Sequence, residues 1–105
     1  MRGLFIDVGE PCGPVAECYG CDYYFNLKDY RQLFDTLDGF AFDKYVIHFD
    51  GLYTNILEEM IAKGKNSNKY EVRIHGVDKE EYNLFWNYVN KYWTDQTGWF
   101  NAQRK

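Results

Sequence analysis

The chain has 105 residues, the usual length of one folded domain, and we expect residues 1–105 to form a single domain. Hydrophobic residues make up 46% of the sequence and charged residues 27%, a balance that excludes disorder over the whole chain. The net charge of −4 argues against direct binding of nucleic acid or of an anionic membrane, and no apolar run approaches the roughly 18 residues of a membrane span.

The first half of the chain predicts two strands and a helix. Residues 2–8 alternate apolar and other side chains, which predicts a strand, and residues 9–22 form a loop rich in glycine, proline and cysteine. A short strand follows over 22–25. The apolar spacing then predicts a helix over 27–37, with Asn26 as its N-cap.

The second half alternates strands with helices. A strand is predicted over 44–50, and Asp50 is placed to cap a helix over 52–63, whose apolar face comprises Tyr53, Ile56, Leu57, Met60 and Ile61. Another strand covers 70–75, with Val72 on its inner face and Arg73 on its outer face, and Asp78 caps the last helix. That helix carries a wide apolar stripe, which we expect to pack on more than one side: Tyr82, Leu84, Phe85, Trp86, Tyr88, Val89, Tyr92 and Trp93.

The element order β-(β)-α-β-α-β-α predicts an α/β or α+β domain. The strands over 44–50 and 70–75 each have one polar face, whereas parallel strands covered on both faces are apolar throughout. We therefore expect a two-layer sandwich, in which a small sheet of three or four strands carries about three helices on one face. The pattern leaves open whether the strands are parallel, antiparallel or mixed.

The cysteines Cys12, Cys18 and Cys21 lie within ten residues of one another. An odd number of cysteines does not suit a disulfide framework, and the acidic Asp7 comes too early in the chain for a signal peptide. Both observations predict a reducing, cytoplasmic location. Two of the cysteines are spaced like half of a zinc site, which His48 or His75 would have to complete, and a redox pair is a further alternative. We expect small buried apolar residues instead, with no metal and no cofactor.

His48 and His75 each lie near the end of a predicted strand and close to a glycine. If the two strands are parallel neighbours, the two imidazoles come together at the edge where open α/β sheets bind ligands. Such a pair suits acid–base chemistry or a metal. This predicts, as an alternative function, a small enzyme or metal protein that uses these histidines with nearby charged residues: Asp7, Asp50, Glu71 and Arg73.

The main functional expectation is an interaction protein without enzymatic activity. Aromatic residues make up 20% of the chain, more than a core of this size hides, and residues 1–62 hold eleven acidic against four basic residues. The composition is similar to that of small phage and mobile-element proteins that inhibit host machinery, which implies a partner with a basic surface. We expect the contact to be made by Tyr19, Asp22, Tyr23, Tyr24, Asp29, Asp35 and Asp38.

Trp99 and Phe100 form an aromatic pair in the C-terminal region, after Gly98. Leaving both side chains in water forgoes apolar burial worth roughly 1.5–3 kcal/mol for the phenylalanine alone. We expect this segment to dock on the body of the domain. A homodimer contact through the same two residues is the alternative.

Overall fold

The computed structural model describes residues 2–9, 20–65, 69–91 and 100–104. Its elements alternate along the chain, and a short 3₁₀ helix, Tyr30–Gln32, precedes the first α-helix. The strands are β1 (Gly3–Val8), β2 (Tyr23–Leu27), β3 (Lys44–Phe49), β4 (Tyr70–Val77) and β5 (Phe100–Arg104). The helices are α1 (Leu33–Asp38), α2 (Thr54–Ala62) and α3 (Lys79–Lys91).

The strands form one parallel sheet in the order β2-β1-β3-β4-β5. The predicted α/β two-layer sandwich is confirmed, and the open question of strand direction is settled in favour of parallel pairing. The sheet has one strand more than the three or four expected, because β5 pairs with β4 at one edge. At the other edge lies β2.

The three α-helices of the described residues lie on one face of the sheet. The connections from β2 to β3, β3 to β4 and β4 to β5 step across the sheet in the same direction, and right-handed crossovers then place their helices on the same side. One apolar cluster joins the helices to this face, and its central members are Leu4, Ile6, Val8, Leu33, Leu37, Tyr45, Ile47, Phe49, Leu57, Met60, Val72, Ile74 and Phe85.

The face of the sheet opposite the three helices, which carries no helix of the described residues and is called here the helix-free face, is more buried than we expected. Every residue of β1 is buried, including Gly3, Phe5 and Asp7, which alternate away from the helices. Phe5 packs there with Val46 and Cys21 in a second, smaller apolar cluster. β1 is thus a central strand covered on both faces, and its nearly unbroken apolar sequence is typical of such strands.

The first helix begins later than predicted, because Asn26 does not cap it. Asn26 belongs to β2 and pairs in register with Asp7, and its side-chain amide donates hydrogen bonds to the backbone oxygens of Asp7 (2.9 Å) and Gly9 (3.0 Å). Asp29 instead caps the preceding 3₁₀ helix, since its carboxylate accepts a hydrogen bond from the backbone N–H of Arg31, and α1 itself begins after Gln32 without a side-chain cap. Pairing with β1 therefore overrides a strong local capping preference.

The second helix begins at Thr54, and Asp50 does not cap it. The backbone oxygen of Tyr53 accepts the first helical hydrogen bonds, and the Asp50 carboxylate accepts one from the Tyr53 hydroxyl at 3.0 Å. The predicted apolar face is otherwise confirmed, since Ile56, Leu57 and Met60 are buried.

The third helix is capped as predicted, because the carboxylate of Asp78 accepts a hydrogen bond from the Glu81 N–H at 2.9 Å. Phe85 is fully buried and Trp86 partly buried, but Leu84 is 57% exposed, so the expected packing on a second side is wrong at this residue. Among the described residues, no helix has the length and apolar character needed to cross a bilayer.

The segment that contains Phe100 joins the sheet. Residues 100–104 pair with β4 in parallel, with Val72 opposite Phe100 and Ile74 opposite Ala102. The expected docking of this segment is therefore observed for its backbone. Trp93 and Trp99 lie outside the described residues, and the homodimer contact stays a prediction.

Replacing Gly9 should destabilise the fold. Gly9 has a φ of +95°, and a Cβ built on it would lie 2.6 Å from Oδ2 of Asp50. We expect Gly9→Ala to lower the free energy of unfolding by about 1–3 kcal/mol, as measured by urea denaturation. Gly51→Ala is the matched control, because a Cβ there meets no atom within 4 Å, and it should change stability by less than about 0.5 kcal/mol. Equal losses in the two variants would contradict this account of Gly9.

Candidate functional site

A row of polar side chains crosses the helix-free face near the carboxyl ends of the strands. Asp7 on β1 lies opposite His48 on β3, and His48 lies opposite Arg73 on β4. β1 and β3 flank the point at which the chain reverses its direction along the sheet, because β1 leads to β2 on one side and β3 to β4 on the other. Ligands of open α/β sheets bind outside the carboxyl ends of the strands at such a switch point.

Asp7 is the centre of this row, and it is fully buried. One carboxylate oxygen, Oδ2, accepts a hydrogen bond from the Tyr24 hydroxyl at 2.8 Å, and Oδ1 lies 3.1 Å from Nδ1 of His48. An ionised carboxylate only accepts hydrogen bonds, so beside ionised Asp7 the contact requires the His48 tautomer that carries its proton on Nδ1.

His75 joins this group from the next strand. The sequence required parallel, neighbouring strands for the two histidines to meet, and β3 and β4 satisfy that condition. The ring centroids of His48 and His75 lie 5.7 Å apart. His75 is exposed, whereas His48 keeps 9% of its side chain accessible. The pair thus combines one fixed, shielded imidazole with one open to solvent.

The other charged residues of the predicted group lie in two separate places. Arg73 and Glu71 lie on the helix-free face of β4 and form an ion pair of 2.9 Å. Asp50 does not join them, because its carboxylate is bound by Tyr53 and lies close to the Gly9 backbone. The candidate acid–base group therefore consists of Asp7, His48 and His75, with Arg73 alongside.

The described residues contain no group of three histidine, cysteine, aspartate or glutamate side chains placed to hold a metal ion. Cys12 and Cys18 lie outside those residues. Cys21 is buried in the apolar cluster with Phe5, and this burial raises the pKa of its thiol. The expectation that Cys21 is a small apolar core residue is met.

A second feature is the edge strand β2, which carries two of the three large apolar side chains exposed in the described part of the chain. Tyr23 is 50% exposed and Tyr24 is 38% exposed. Their side chains alternate to opposite faces of the sheet, so that Tyr23 contacts Phe42 on the helix side and Tyr24 stacks on Phe5 on the other. The two tyrosines therefore straddle the sheet edge.

The acidic residues predicted to bind a partner do not form one patch. Asp22 precedes β2, where its carboxylate accepts a hydrogen bond from the Gly3 N–H at 3.0 Å. Asp29 is bound by both Nε and Nη2 of Arg31, which lowers the pKa of its carboxyl. Asp35 and Asp38 are exposed on α1. Tyr19 lies outside the described residues, so its role stays a prediction.

Sequence reasoning missed the link between the polar row and the exposed tyrosines of β2. The Tyr24 hydroxyl binds Asp7, so a residue expected only to touch a partner also supports the buried carboxylate. The indication was present, because Asp7 is the only charged residue within the apolar run of β1. A buried carboxylate must be matched with donors from neighbouring strands.

Removing the Asp7 carboxylate should cost more stability than removing one of its donors. Asp7→Ala leaves the ring nitrogen of His48 and the Tyr24 hydroxyl without their acceptor, and we expect a loss of about 3 kcal/mol in urea denaturation. Tyr24→Phe removes one hydrogen bond at a partly exposed position and should cost about 1 kcal/mol. If Asp7→Ala costs no more than Tyr24→Phe, the buried pair does not contribute as described.

Cys21 should react slowly with thiol reagents. Alkylation needs the thiolate, and the raised pKa and burial of Cys21 both reduce its availability. In a variant with Cys12→Ser and Cys18→Ser, we expect iodoacetamide at pH 8 to modify the folded protein at least about tenfold more slowly than the protein in urea, as followed by mass spectrometry. Equal rates in the folded and unfolded protein would show that Cys21 is accessible.

Comparison of the chain with protein-family models, with curated proteins and with solved structures gives no match.

Proposed function

We propose that this chain is a protein-binding module whose β2 edge accepts an extended segment of a partner protein. The observation that carries the proposal is the pair of exposed tyrosines, Tyr23 and Tyr24, on a strand at the edge of the sheet. An edge strand offers backbone groups to an added strand, and side-chain contacts on alternate faces supply the specificity.

The sequence of β2 lacks the usual protection of an edge. Natural edge strands carry lysine, proline or a bulge that prevents pairing with other chains. The residues Tyr23–Leu27 include no charge and no proline, and they pair with β1 in an unbroken register. A strand of this kind is suited to pairing with a partner.

Both tyrosines are held in place before any partner arrives. The guanidinium of Arg2 lies 5.7 Å from the ring centre of Tyr23 and 4.7 Å from that of Phe42, so these three side chains form a cluster. Tyr24 is fixed by its hydrogen bond to Asp7 and by stacking on Phe5. Side chains that are already ordered lose little conformational entropy on binding.

The acidic balance of the N-terminal part of the chain favours a basic partner. Residues 1–62 hold eleven acidic against four basic residues, and of the acidic ones Asp22 immediately precedes β2 while Asp35 and Asp38 are exposed on α1. The chain as a whole has a net charge of −4. We propose a cytoplasmic inhibitor that occupies a basic surface of its target. The tyrosines contribute most of the affinity, and the acidic residues increase the rate of association.

The test starts from capture of partners from host lysate and continues with the purified candidate. We expect Tyr23→Ser to weaken binding by about 30-fold or more in calorimetry, which is the loss expected at an aromatic hot spot. Hydrogen exchange should show new protection of the β2 amides in the complex. The association rate should fall as salt rises from low to physiological concentration.

Leu84→Ser is the matched control, because Leu84 is also a large exposed apolar residue but lies on α3. It should leave binding unchanged. A complex that loses affinity with Leu84→Ser but not with Tyr23→Ser, or that leaves β2 exchange unaltered, would move the interface elsewhere and contradict the proposal.

A further inference from the structure

We propose that Asp7, His48 and His75 form an acid–base catalytic site that cleaves a phosphodiester carrying a neighbouring hydroxyl group, such as a dinucleoside phosphate of the ribose series. This catalytic site is separate from the protein-binding edge, because it lies on the helix-free face rather than at the outer edge of β2. It rests on two adjacent imidazoles at the carboxyl ends of parallel strands, one of which a buried carboxylate orients.

His48 is the proton acceptor. In the proposed site Nδ1 of His48, 3.1 Å from Oδ1 of Asp7, donates to the ionised carboxylate, and Nε2 is the nitrogen that takes the proton from the substrate. Asp7 is a positioning residue, because it acts through His48. The Tyr24 hydroxyl donates to the other carboxylate oxygen of Asp7 at 2.8 Å and helps to hold the carboxylate against the ring.

His75 is the proton donor. Its ring lies 5.7 Å from that of His48, so both rings can reach oxygens bound to one phosphorus atom. His48 Nε2 takes the proton of the 2′-hydroxyl as the O2′–P bond forms. Protonated His75 gives its proton to the leaving 5′-oxygen as the P–O5′ bond breaks. The products are a 2′,3′-cyclic phosphate and a 5′-hydroxyl, with one proton accepted, one donated and no change in oxidation state.

The surroundings contribute an aromatic ring and a paired arginine to the site. Arg73 lies beside His48 in the strand register but is ion-paired with Glu71 at 2.9 Å, so the positive charge offered to a phosphodiester is that of protonated His75. Tyr24 presents an exposed ring on the same face, and base–aromatic stacking tolerates any base. The acidic balance of the chain is consistent with a substrate of one dinucleoside step rather than a long polymer.

The experiment incubates the purified full chain with uridylyl-3′,5′-adenosine and follows the products by chromatography and mass spectrometry. We expect a 2′,3′-cyclic phosphate, no cleavage of the deoxy analogue, and a bell-shaped dependence of the rate on pH because one histidine acts neutral and the other charged. His75→Gln and His48→Gln should each reduce the rate by about 100-fold or more.

Leu84→Ser is again the control and should retain full activity, since Leu84 lies on α3. His75 is exposed, so His75→Gln tests the proposal even if His48→Gln fails to fold. No cleavage above the buffer blank, or full activity in His75→Gln, would overturn the proposal.

A second readout does not depend on activity. Nitrogen NMR should find neutral His48 protonated at Nδ1, and Asp7→Asn should change that tautomer and slow cleavage with little effect on KM. A proton on Nε2 in the wild type would exclude His48 as the base. Loss of partner binding in Tyr23→Ser with cleavage intact would show the two functions to be separate.

Discussion

The complete burial of β1 is the constraint on which the rest of the structure depends. With neighbours on both sides and side chains packed on both faces, this strand fixes the directions of β2 and β3. It also leaves the Asp7 side chain inaccessible to solvent. A carboxylate there is stable only when donors reach it, and the parallel register supplies them from Tyr24 and His48. The apolar fold and the polar row are thus consequences of the same strand.

Local periodicity was enough to predict most of the elements, because each amphipathic segment carries its own pattern. The spacing of Ile56, Leu57 and Met60 identified the buried face of α2, and alternation separated Val72 from Arg73 in β4. The failures came where a distant strand decided the outcome. Asn26 has the chemistry of a helix cap, but pairing with β1 draws it into β2.

The candidate site was predictable only in part for the same reason. The two histidines were recognised as strand-end residues, but whether they meet depends on strand direction, which periodicity does not determine. The apolar run around Asp7 was the best local indication of a parallel sheet. The pairing of β5 with β4 and the bond from Tyr24 to Asp7 are contacts between separate segments, and no local pattern specifies them.

The hydrogen bond from the Tyr24 hydroxyl to Asp7 links the edge of β2 to the polar row thermodynamically. Because Tyr24 donates to Asp7 while its ring lies at the sheet edge, any movement of Tyr24 on partner binding alters the support of the His48 ring. Two ligands that act on the same residue influence each other reciprocally. A substrate that holds Tyr24 in place would change the affinity for a partner by some factor, and the partner would change the affinity for the substrate by the same factor. A single phenol would then make the edge and the polar row allosterically coupled.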